Sequence, residues 1–164
     1  MLKLIIADDT KEDLVLTNRI LQQCKLLNPV SLVSSAAECV EELKRLQTVA
    51  EGEPSLVLLD LIMPQESGLH VLRYLQNTDY QKHCLVVMLS RLRDVKAINE
   101  GYQLGAKTFL LRPLTARDVV ELVNSLAEIS IEETPDGYTL HWKERLTQDS
   151  DLRQRTTRIR SLAA

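Results

Sequence analysis

The four residues 56–59, Leu-Val-Leu-Leu, form a wholly apolar run that ends at the carboxylate of Asp60. A strand with one face in water alternates apolar and polar residues, whereas a strand buried on both faces stays apolar throughout. The run therefore predicts a central strand in a sheet that helices cover on both sides. Because a charge is costly inside such a strand, we expect Asp60 to lie at its exit.

Similar apolar stretches alternate with segments of helical period along most of the chain. The stretches predict five strands: Leu2–Ala7, Val30–Ser34, Ser55–Leu59, Leu85–Leu89 and Thr108–Leu111. The segments after them predict five helices: Glu12–Lys25, Ala36–Gln47, Leu69–Leu75, Val95–Leu104 and a last one that Thr115 caps. Five strand–helix units with short connections favour an α/β domain with one doubly wound, five-stranded parallel sheet.

The composition argues against several classes of protein. The chain has 164 residues and a net charge of -3, which suits one domain with a small appendage and favours neither nucleic acid nor a membrane surface. No apolar window of about 18 residues predicts a transmembrane helix, and the N-terminus lacks the features of a signal peptide. The three scattered cysteines are expected to be buried and reduced. These features predict a cytoplasmic protein.

Polar side chains stand where the predicted strands end. Asp8 and Asp9 follow the first strand, Asp60 the third, Ser90 the fourth and Arg112 the fifth. In open parallel sheets, ligands bind outside the carboxyl ends of the strands. We therefore expect these five side chains to converge at one edge of the sheet.

The three carboxylates at this edge would repel one another. Without a cation, at least one of them should take up a proton, whereas a hard divalent metal such as Mg²⁺ would resolve the conflict. A carboxylate beside Mg²⁺ can also attack phosphorus and form an acyl phosphate. Ser90 and Arg112 could then supply a hydroxyl and a cation to the new phosphoryl oxygens.

These residues resemble the receiver domain of two-component response regulators. The similar motifs are the acidic pair at 8–9, the stretch DLIMPQESG from Asp60 to Gly68, the hydroxyl of Ser90 and the basic-Pro pair at 112–113 after GAKTFLL. The resemblance covers roughly residues 1–129 and implies the flavodoxin-like (βα)5 fold. It leaves residues 130–164 as a C-terminal extension.

The resemblance also implies a role for each site residue. Asp60 would accept a phosphoryl group from a histidine kinase or a phosphotransfer protein and lose it by hydrolysis, which is at most a self-catalysed reaction. Asp8, Asp9, Asp60 and the backbone carbonyl of Ile62 would hold Mg²⁺. Ser90 and Phe109 would move as the switch, Arg112 would assist at the phosphoryl group, and the Arg112–Pro113 bond would be cis.

Two residues depart from the pattern of the family. Arg112 stands where the family has a lysine, and a planar guanidinium is not equivalent to a compact ammonium. Arg91 stands where the family prefers a small residue, which leaves a path to the phosphoryl group. Both arginines keep open a second reading, a pseudo-receiver that binds partners without being phosphorylated. A phosphatase of the aspartyl-nucleophile type is disfavoured, because it would need a carboxylate at the position of Ile62.

Simpler roles exist for the same residues. The acids at 8–9 could be solvated or could cap the first helix. Arg112 could form a plain salt bridge to Asp60 and lock the site without phosphate. Phe109 could be a static core residue rather than a switch.

The C-terminal extension carries a different pattern. Ile131, Tyr138, Leu140 and Trp142 alternate with polar residues around the turn signal Pro135-Asp136-Gly137, which predicts a β-hairpin over about 130–142 with one apolar face. A lone hairpin is marginal in water, so that face should dock near the fifth helix of its own domain or on a second copy in a homodimer.

A short helix is predicted to begin at about Lys143. The stretch RQRTTRIR at 153–160 could contact nucleic acid or an acidic partner, but it is better explained as a solvated or disordered terminus. The extension is too short for a separate DNA-binding domain, so output should occur by contact with another protein.

Overall fold

The fold is described from a computed structural model of the chain, in which residues 1–49, 52–63, 65–91, 95–143 and 157–160 are described. The predicted alternation of strands and helices is confirmed. The strands are β1 Lys3–Ala7, β2 Val30–Val33, β3 Ser55–Asp60, β4 Cys84–Ser90, β5 Thr108–Leu111, β6 Ile129–Thr134 and β7 Gly137–Trp142. The α-helices are α1 Lys11–Gln23, α2 Ala36–Thr48, α3 Leu69–Gln76, α4 Val95–Gln103 and α5 Ala116–Ser125, with a 3-10 helix at Asp79–His83.

The first five strands form one parallel sheet in the order β2-β1-β3-β4-β5. The predicted flavodoxin-like, doubly wound fold is therefore confirmed. β3 is the central strand and pairs with β1 on one side and β4 on the other. Its residues 55–59 are buried and only Asp60 is partly exposed, as the apolar run predicted.

Helices cover both faces of the sheet, and each face has its own hydrophobic core. Ile6 and Leu58 contribute to a core with α1 and α5, whereas their neighbours Ile5 and Leu59 contribute to a core with α2, α3 and α4. Successive side chains of a strand point to opposite faces, so a two-sided core requires apolar residues at every position.

Local capping explains where α5 begins. The hydroxyl of Thr115 accepts a hydrogen bond from the Asp118 backbone N–H at 3.2 Å, and an Asp118 carboxylate oxygen accepts one from the Thr115 backbone N–H at 2.9 Å. This reciprocal pair satisfies two donors at the helix start and confirms Thr115 as the predicted cap. None of the helices in the described ranges is long and apolar enough to cross a membrane.

The three cysteines are free and buried, as predicted. Burial raises the pKa of the Cys24 thiol to about 11 and that of Cys84 to about 12, while the pKa of Cys39 is raised further still. Thiols with such high pKa values stay protonated at neutral pH and are poor nucleophiles.

The C-terminal extension begins with the predicted hairpin, formed by β6 and β7. Ile131 lies opposite Leu140, and Ile129 lies opposite Trp142, which places the apolar residues on one face. That face joins the core beneath α1 and α5, so the hairpin docks on its own domain. The predicted position near the fifth helix is correct for these side chains. The helix predicted from about Lys143 lies outside the described residues.

The main-chain contacts of the hairpin lie elsewhere, at the amino ends of β1 and β2. The Leu2 N–H donates to the Leu140 carbonyl at 3.0 Å, and the Leu27 N–H donates to the Tyr138 carbonyl at 2.9 Å. The Tyr138 N–H in turn donates to the Lys25 carbonyl at 2.7 Å. The hairpin therefore lies at the opposite end of the sheet from Asp60.

The prediction of a solvated C-terminus is wrong for Ile159. This side chain is only 3% exposed and belongs to the core beneath α1 and α5, whereas Arg158 and Arg160 on either side are exposed. The Asn124 amide donates to the Ile159 carbonyl and accepts from the Ile159 N–H, both at 3.0 Å. One apolar side chain with a matched amide fixes this segment to the end of α5.

Candidate functional site

The carboxyl ends of four neighbouring strands bring the predicted site residues together. Asp8 follows β1, Asp60 ends β3, Ser90 ends β4 and Arg112 follows β5. The Arg112 N–H donates to the Ser90 carbonyl at 2.8 Å, which continues the pairing of β4 and β5 beyond their ends. Because β3 lies between β1 and β4, Asp60 lies at the middle of this edge.

Three carboxylates cluster at this edge. Asp8, Asp9 and Asp60 each offer an oxygen atom, and these atoms all lie within 4.8 Å of one another. Asp8 is fully buried, Asp60 is half-buried and Asp9 is exposed. Such a set of oxygen donors, open on one side to water, fits a hard divalent cation such as Mg²⁺.

The environment of Asp60 shifts its carboxyl group towards the neutral form when no cation is bound. Burial raises the pKa of this carboxyl to about 6, and the nearby charges of Asp8 and Asp9 add to the effect. A hydrogen bond of 3.1 Å from the Ile62 backbone N–H to Oδ1 and the charge of Arg112 act in the opposite direction. The hydrogen bond from Ile62 thus holds the Asp60 carboxylate in place. The positive charge of Arg112 does not fully offset burial and the negative charges of Asp8 and Asp9.

Arg112 forms an ion pair with Asp8, and both side chains are buried, at 5% and 0% exposure. The salt bridge between Arg112 and Asp60 that was considered from the sequence is therefore wrong, because the acid that pairs with Arg112 is Asp8. Burial raises the pKa of Asp8, against a hydrogen bond from the Thr10 N–H at 3.0 Å and the charge of Arg112. The Arg112 Nε is buried without a hydrogen-bond partner in the described structure. The predicted cis bond between Arg112 and Pro113 is confirmed.

Gly68 lets the chain turn tightly beneath Asp60. Its N–H donates to the Leu61 carbonyl at 3.0 Å. A Cβ atom added at this position would overlap the Asp60 carbonyl oxygen and would lie 3.1 Å from both the Leu59 Cγ and the Leu61 Cα. The glycine in the DLIMPQESG motif is therefore required for space around the main chain of Asp60.

The predicted switch residues occupy different environments. Ser90 is almost fully buried at the end of β4. Phe109 is half-buried in β5 opposite Met88, and its ring packs edge-on against Tyr102 with 6.4 Å between ring centroids. Phe109 is therefore neither a fully enclosed core residue nor an exposed one, and its role as a switch stays a prediction.

Arg91 makes a contact that the sequence analysis missed. Its guanidinium forms an ion pair with Asp13 in the first turn of α1. The two residues are separated by 78 positions, and no local motif connects them. The sequence indicated only that Arg91 is bulky, not which acid it contacts.

The fold and the acidic edge define a class of protein, the doubly wound α/β domains with a cluster of carboxylates at the carboxyl ends of the strands. The family model of the response regulator receiver domain matches residues 4–124. The chain therefore belongs to the response regulator receiver domain family, as the sequence motifs predicted.

Individual relatives agree with this assignment. The chain is 30% identical to the chemotaxis protein CheY of Bacillus subtilis (strain 168) over 95 residues, covering 58% of this chain and 72% of that protein. It is 28% identical to the transcriptional regulatory protein GlnL of the same organism over 100 residues, which are 61% of this chain but only 31% of GlnL.

Solved structures show the same similarity. The bacteriophytochrome response regulator RtBRR is 30% identical with a TM-score of 0.67, over 77% of this chain and 79% of that one. The bacteriophytochrome response regulator AtBRR is 29% identical with a TM-score of 0.63, over 74% and 89% of the two chains.

Proposed function

We propose that the chain is a cytoplasmic signalling protein of a two-component system that accepts a phosphoryl group on Asp60. The donor is a phosphohistidine on a histidine kinase or a phosphotransfer protein. The observation that carries the proposal is the cluster of Asp8, Asp9 and Asp60, whose oxygens lie within 4.8 Å at the end of the central strand. Membership of the receiver family supports the same reaction.

The proposed reaction has two steps. In the first, an Asp60 carboxylate oxygen attacks phosphorus, a P–O bond forms, the P–N bond to histidine breaks, and the departing imidazole takes a proton from water. In the second, a water molecule attacks the same phosphorus atom and the bond to Asp60 breaks. Asp60 returns to a carboxylate, and inorganic phosphate leaves with the hydroxyl from water while the second proton passes to solvent.

The acids of the site are proposed to hold Mg²⁺. Asp8, Asp9 and Asp60 supply carboxylate oxygens, and the backbone carbonyl of Ile62 completes the protein ligands. When bound, the cation neutralises negative charge on the carboxylates and on the phosphoryl oxygens. Without it, burial and mutual repulsion raise the pKa of Asp60 to about 6, so near that pH part of the carboxyl groups are protonated and cannot attack phosphorus.

Ser90, Arg112 and Phe109 are proposed to act on the phosphorylated state. Ser90 ends the strand beside Asp60, so its hydroxyl can donate to a phosphoryl oxygen there. Arg112 brings a buried positive charge, and its Nε–H is a donor with no acceptor in the described residues. Phe109 lies on β5, which pairs with β4 next to the site. Its ring is proposed to turn inward as the switch when Ser90 moves.

A pseudo-receiver is the second candidate, and one contact favours it. The Arg112–Asp8 ion pair already neutralises an acid that Mg²⁺ would need. If this pair does not open, the site is locked, and the domain binds partners without taking up a phosphoryl group.

Output is proposed to occur through protein contact on the face formed by α4, β5 and α5 of the receiver, residues 1–129, with the extension 130–164 as an appendage. Val95 and Tyr102 are exposed on α4. The apolar face of the hairpin is buried inside its own domain and is therefore not available to a second copy. We propose that a second copy contacts the face formed by α4, β5 and α5 instead. Light scattering of the wild type and of Tyr102→Lys, with and without phosphodonor, tests the homodimer.

The phosphorylation itself is tested by mass spectrometry after treatment with acetyl phosphate and Mg²⁺. The wild type should gain one phosphoryl group, and Asp60→Asn should gain none. Asp136→Asn, in the exposed turn of the hairpin, is the matched control and should label like the wild type. Labelling that persists in Asp60→Asn would exclude Asp60 as the acceptor, and an unlabelled wild type would favour the pseudo-receiver.

A further inference from the structure

The ion pair between Arg91 and Asp13 crosses the mouth of the candidate site. Arg91 lies directly after β4, and Asp13 lies in the first turn of α1, which follows β1. β3, which ends at Asp60, is between β1 and β4 in the sheet. A contact from the end of β4 to the start of α1 therefore spans the carboxyl end of β3.

Electrostatic effects agree with this position. The hydrogen bond and charge of Asp13 raise the pKa of Arg91, and the charges of Asp8 and Asp60 add to the increase. Asp13 likewise contributes to the raised pKa of Asp8, although burial is the main cause there. Coulombic effects weaken with distance, so these contributions agree with a position of the Arg91–Asp13 pair close to Asp8 and Asp60.

The two ends of the pair differ in exposure. The Asp13 side chain is 15% exposed and fixed on a helix, whereas the Arg91 side chain is 63% exposed and can move. An ion pair with one partner in water gains little, because the solvent screens its charges, so this one opens easily. A phosphoryl group carries a charge of about -2 and three acceptor oxygens, which a guanidinium can bind in a bidentate manner.

We infer that the Arg91–Asp13 ion pair is a strap over Asp60, and that Arg91 moves from Asp13 to the phosphoryl group once Asp60 carries it. The inference rests on the proposed function. While the ion pair is closed, it slows the approach of a phosphodonor to Asp60. The pair opens when the phosphoryl anion of the donor replaces Asp13 as the partner of Arg91. After transfer, the guanidinium covers the phosphoryl group and slows the attack of water.

The first test compares labelling rate and phosphoryl lifetime with acetyl phosphate and Mg²⁺. Arg91→Ala should label at least threefold faster than the wild type and lose the phosphoryl group at least threefold faster. Asp13→Asn should also label faster, but its phosphoryl group should last at least as long as in the wild type, because Arg91 is retained. Arg91→Ala with wild-type rates in both steps would overturn the strap.

A matched control breaks another exposed pair. Arg73 bonds to Glu100 at 3.1 Å between α3 and α4, with both side chains about half exposed. Arg73→Ala should leave both rates unchanged. A change equal to that of Arg91→Ala would show that the loss of any surface charge is sufficient, which would also overturn the strap.

A second test does not depend on phosphorylation. A carbodiimide and an amine modify exposed carboxyl groups, and peptide mass spectrometry compares Asp60 with the exposed Asp136 in the same molecule. Without metal or donor, Arg91→Ala and Asp13→Asn should each raise the relative modification of Asp60 at least threefold. Equal modification in all three proteins overturns the strap. If no protein labels with acetyl phosphate, the proposed function fails, and this comparison still decides the strap.

Discussion

The side-chain amide of Asn28 bonds to the main chain of Leu140 in both directions. Its Nδ2 donates to the Leu140 carbonyl at 2.9 Å, and its Oδ1 accepts from the Leu140 N–H at 2.8 Å. The same Nδ2 donates to the Leu2 carbonyl at 2.7 Å. One buried amide thus joins the start of β1, the connection before β2 and the hairpin, so the hairpin should unfold together with the receiver.

Asn28→Ala is predicted to destabilise the whole protein by about 2–4 kcal/mol, because it removes partners from buried main-chain groups. Urea unfolding followed by circular dichroism and by fluorescence of Trp142 should show one coincident transition. Asn77→Ala, which removes an exposed bond of 3.1 Å to the Arg73 carbonyl, should cost less than about 1 kcal/mol. An earlier, separate fluorescence transition would show that the hairpin is an independent unit.

Ile159→Ala is predicted to lower the free energy of unfolding by about 1–3 kcal/mol, because Ile159 is buried in the core beneath α1 and α5. Arg160→Ala, at an exposed neighbour, should change stability by less than about 0.5 kcal/mol. Denaturant midpoints at a common slope are the measurement. Equal midpoints for the two variants would mean that the segment around Ile159 does not dock.

The sequence was most informative where the cause of the structure is local. The apolar run before Asp60 and the helical periods predict the elements, and the rules of parallel sheets then place the strand ends together. Helix α1 shows the limit of this reasoning. Leu16 is apolar but exposed on this helix, whereas Thr17, a polar residue, is buried.

The contacts that the sequence could not predict join residues far apart in the chain. Arg91 and Asp13 are two charges among many, and nothing in their surroundings marks them as partners. Ile159 is a single apolar residue between two arginines and has no periodicity to reveal its burial. Arg112 was expected at the site, but the choice between Asp8 and Asp60 depends on three-dimensional geometry.

Gly68→Ala is predicted to displace the main chain of Asp60. The new Cβ would overlap the Asp60 carbonyl oxygen, and main-chain atoms cannot rotate away as a side chain can. We expect a loss of about 1–3 kcal/mol in stability and at least tenfold slower labelling by acetyl phosphate.

Gly101→Ala is the control for this substitution. There the added Cβ would meet the side chain of Met88, which can change rotamer, and it does not approach the main chain of the site. It should lower stability while the labelling rate stays within about twofold of the wild type. Similar slowing in both variants would mean that lost stability, rather than the position of Asp60, controls labelling.

Asp60→Asn is predicted to stabilise the metal-free protein at neutral pH. The pKa of Asp60 is raised to about 6 in the folded state from an ordinary value of 3.8. Its stabilising contribution is therefore complete below pH 3.8 and is lost as the pH rises through 6. After allowance for solvent screening, we expect a gain of about 1–2 kcal/mol for the variant at pH 7.5 and little gain at pH 4.5.

Chemical unfolding at these two pH values, with and without Mg²⁺, is the measurement. Saturating Mg²⁺ should reduce or reverse the advantage of Asp60→Asn at pH 7.5, because the wild-type carboxylate then has a cation as its partner. An advantage that is the same at both pH values would show that charge on Asp60 is not its cause.

Arg112 is predicted to compete with Mg²⁺ for Asp8. The two side chains form a buried ion pair, so a cation that binds Asp8 must share its carboxylate with a positive charge. Arg112→Gln should raise the affinity for Mg²⁺ at least tenfold, measured by the rise in thermal midpoint during a Mg²⁺ titration. The loss of one partner of a buried pair is expected to destabilise the metal-free variant, and this readout also works in that case. Arg112→Lys keeps the charge and should stay within about threefold of the wild type. If Arg112→Gln binds Mg²⁺ no more tightly than Arg112→Lys does, Arg112 does not restrain the metal site.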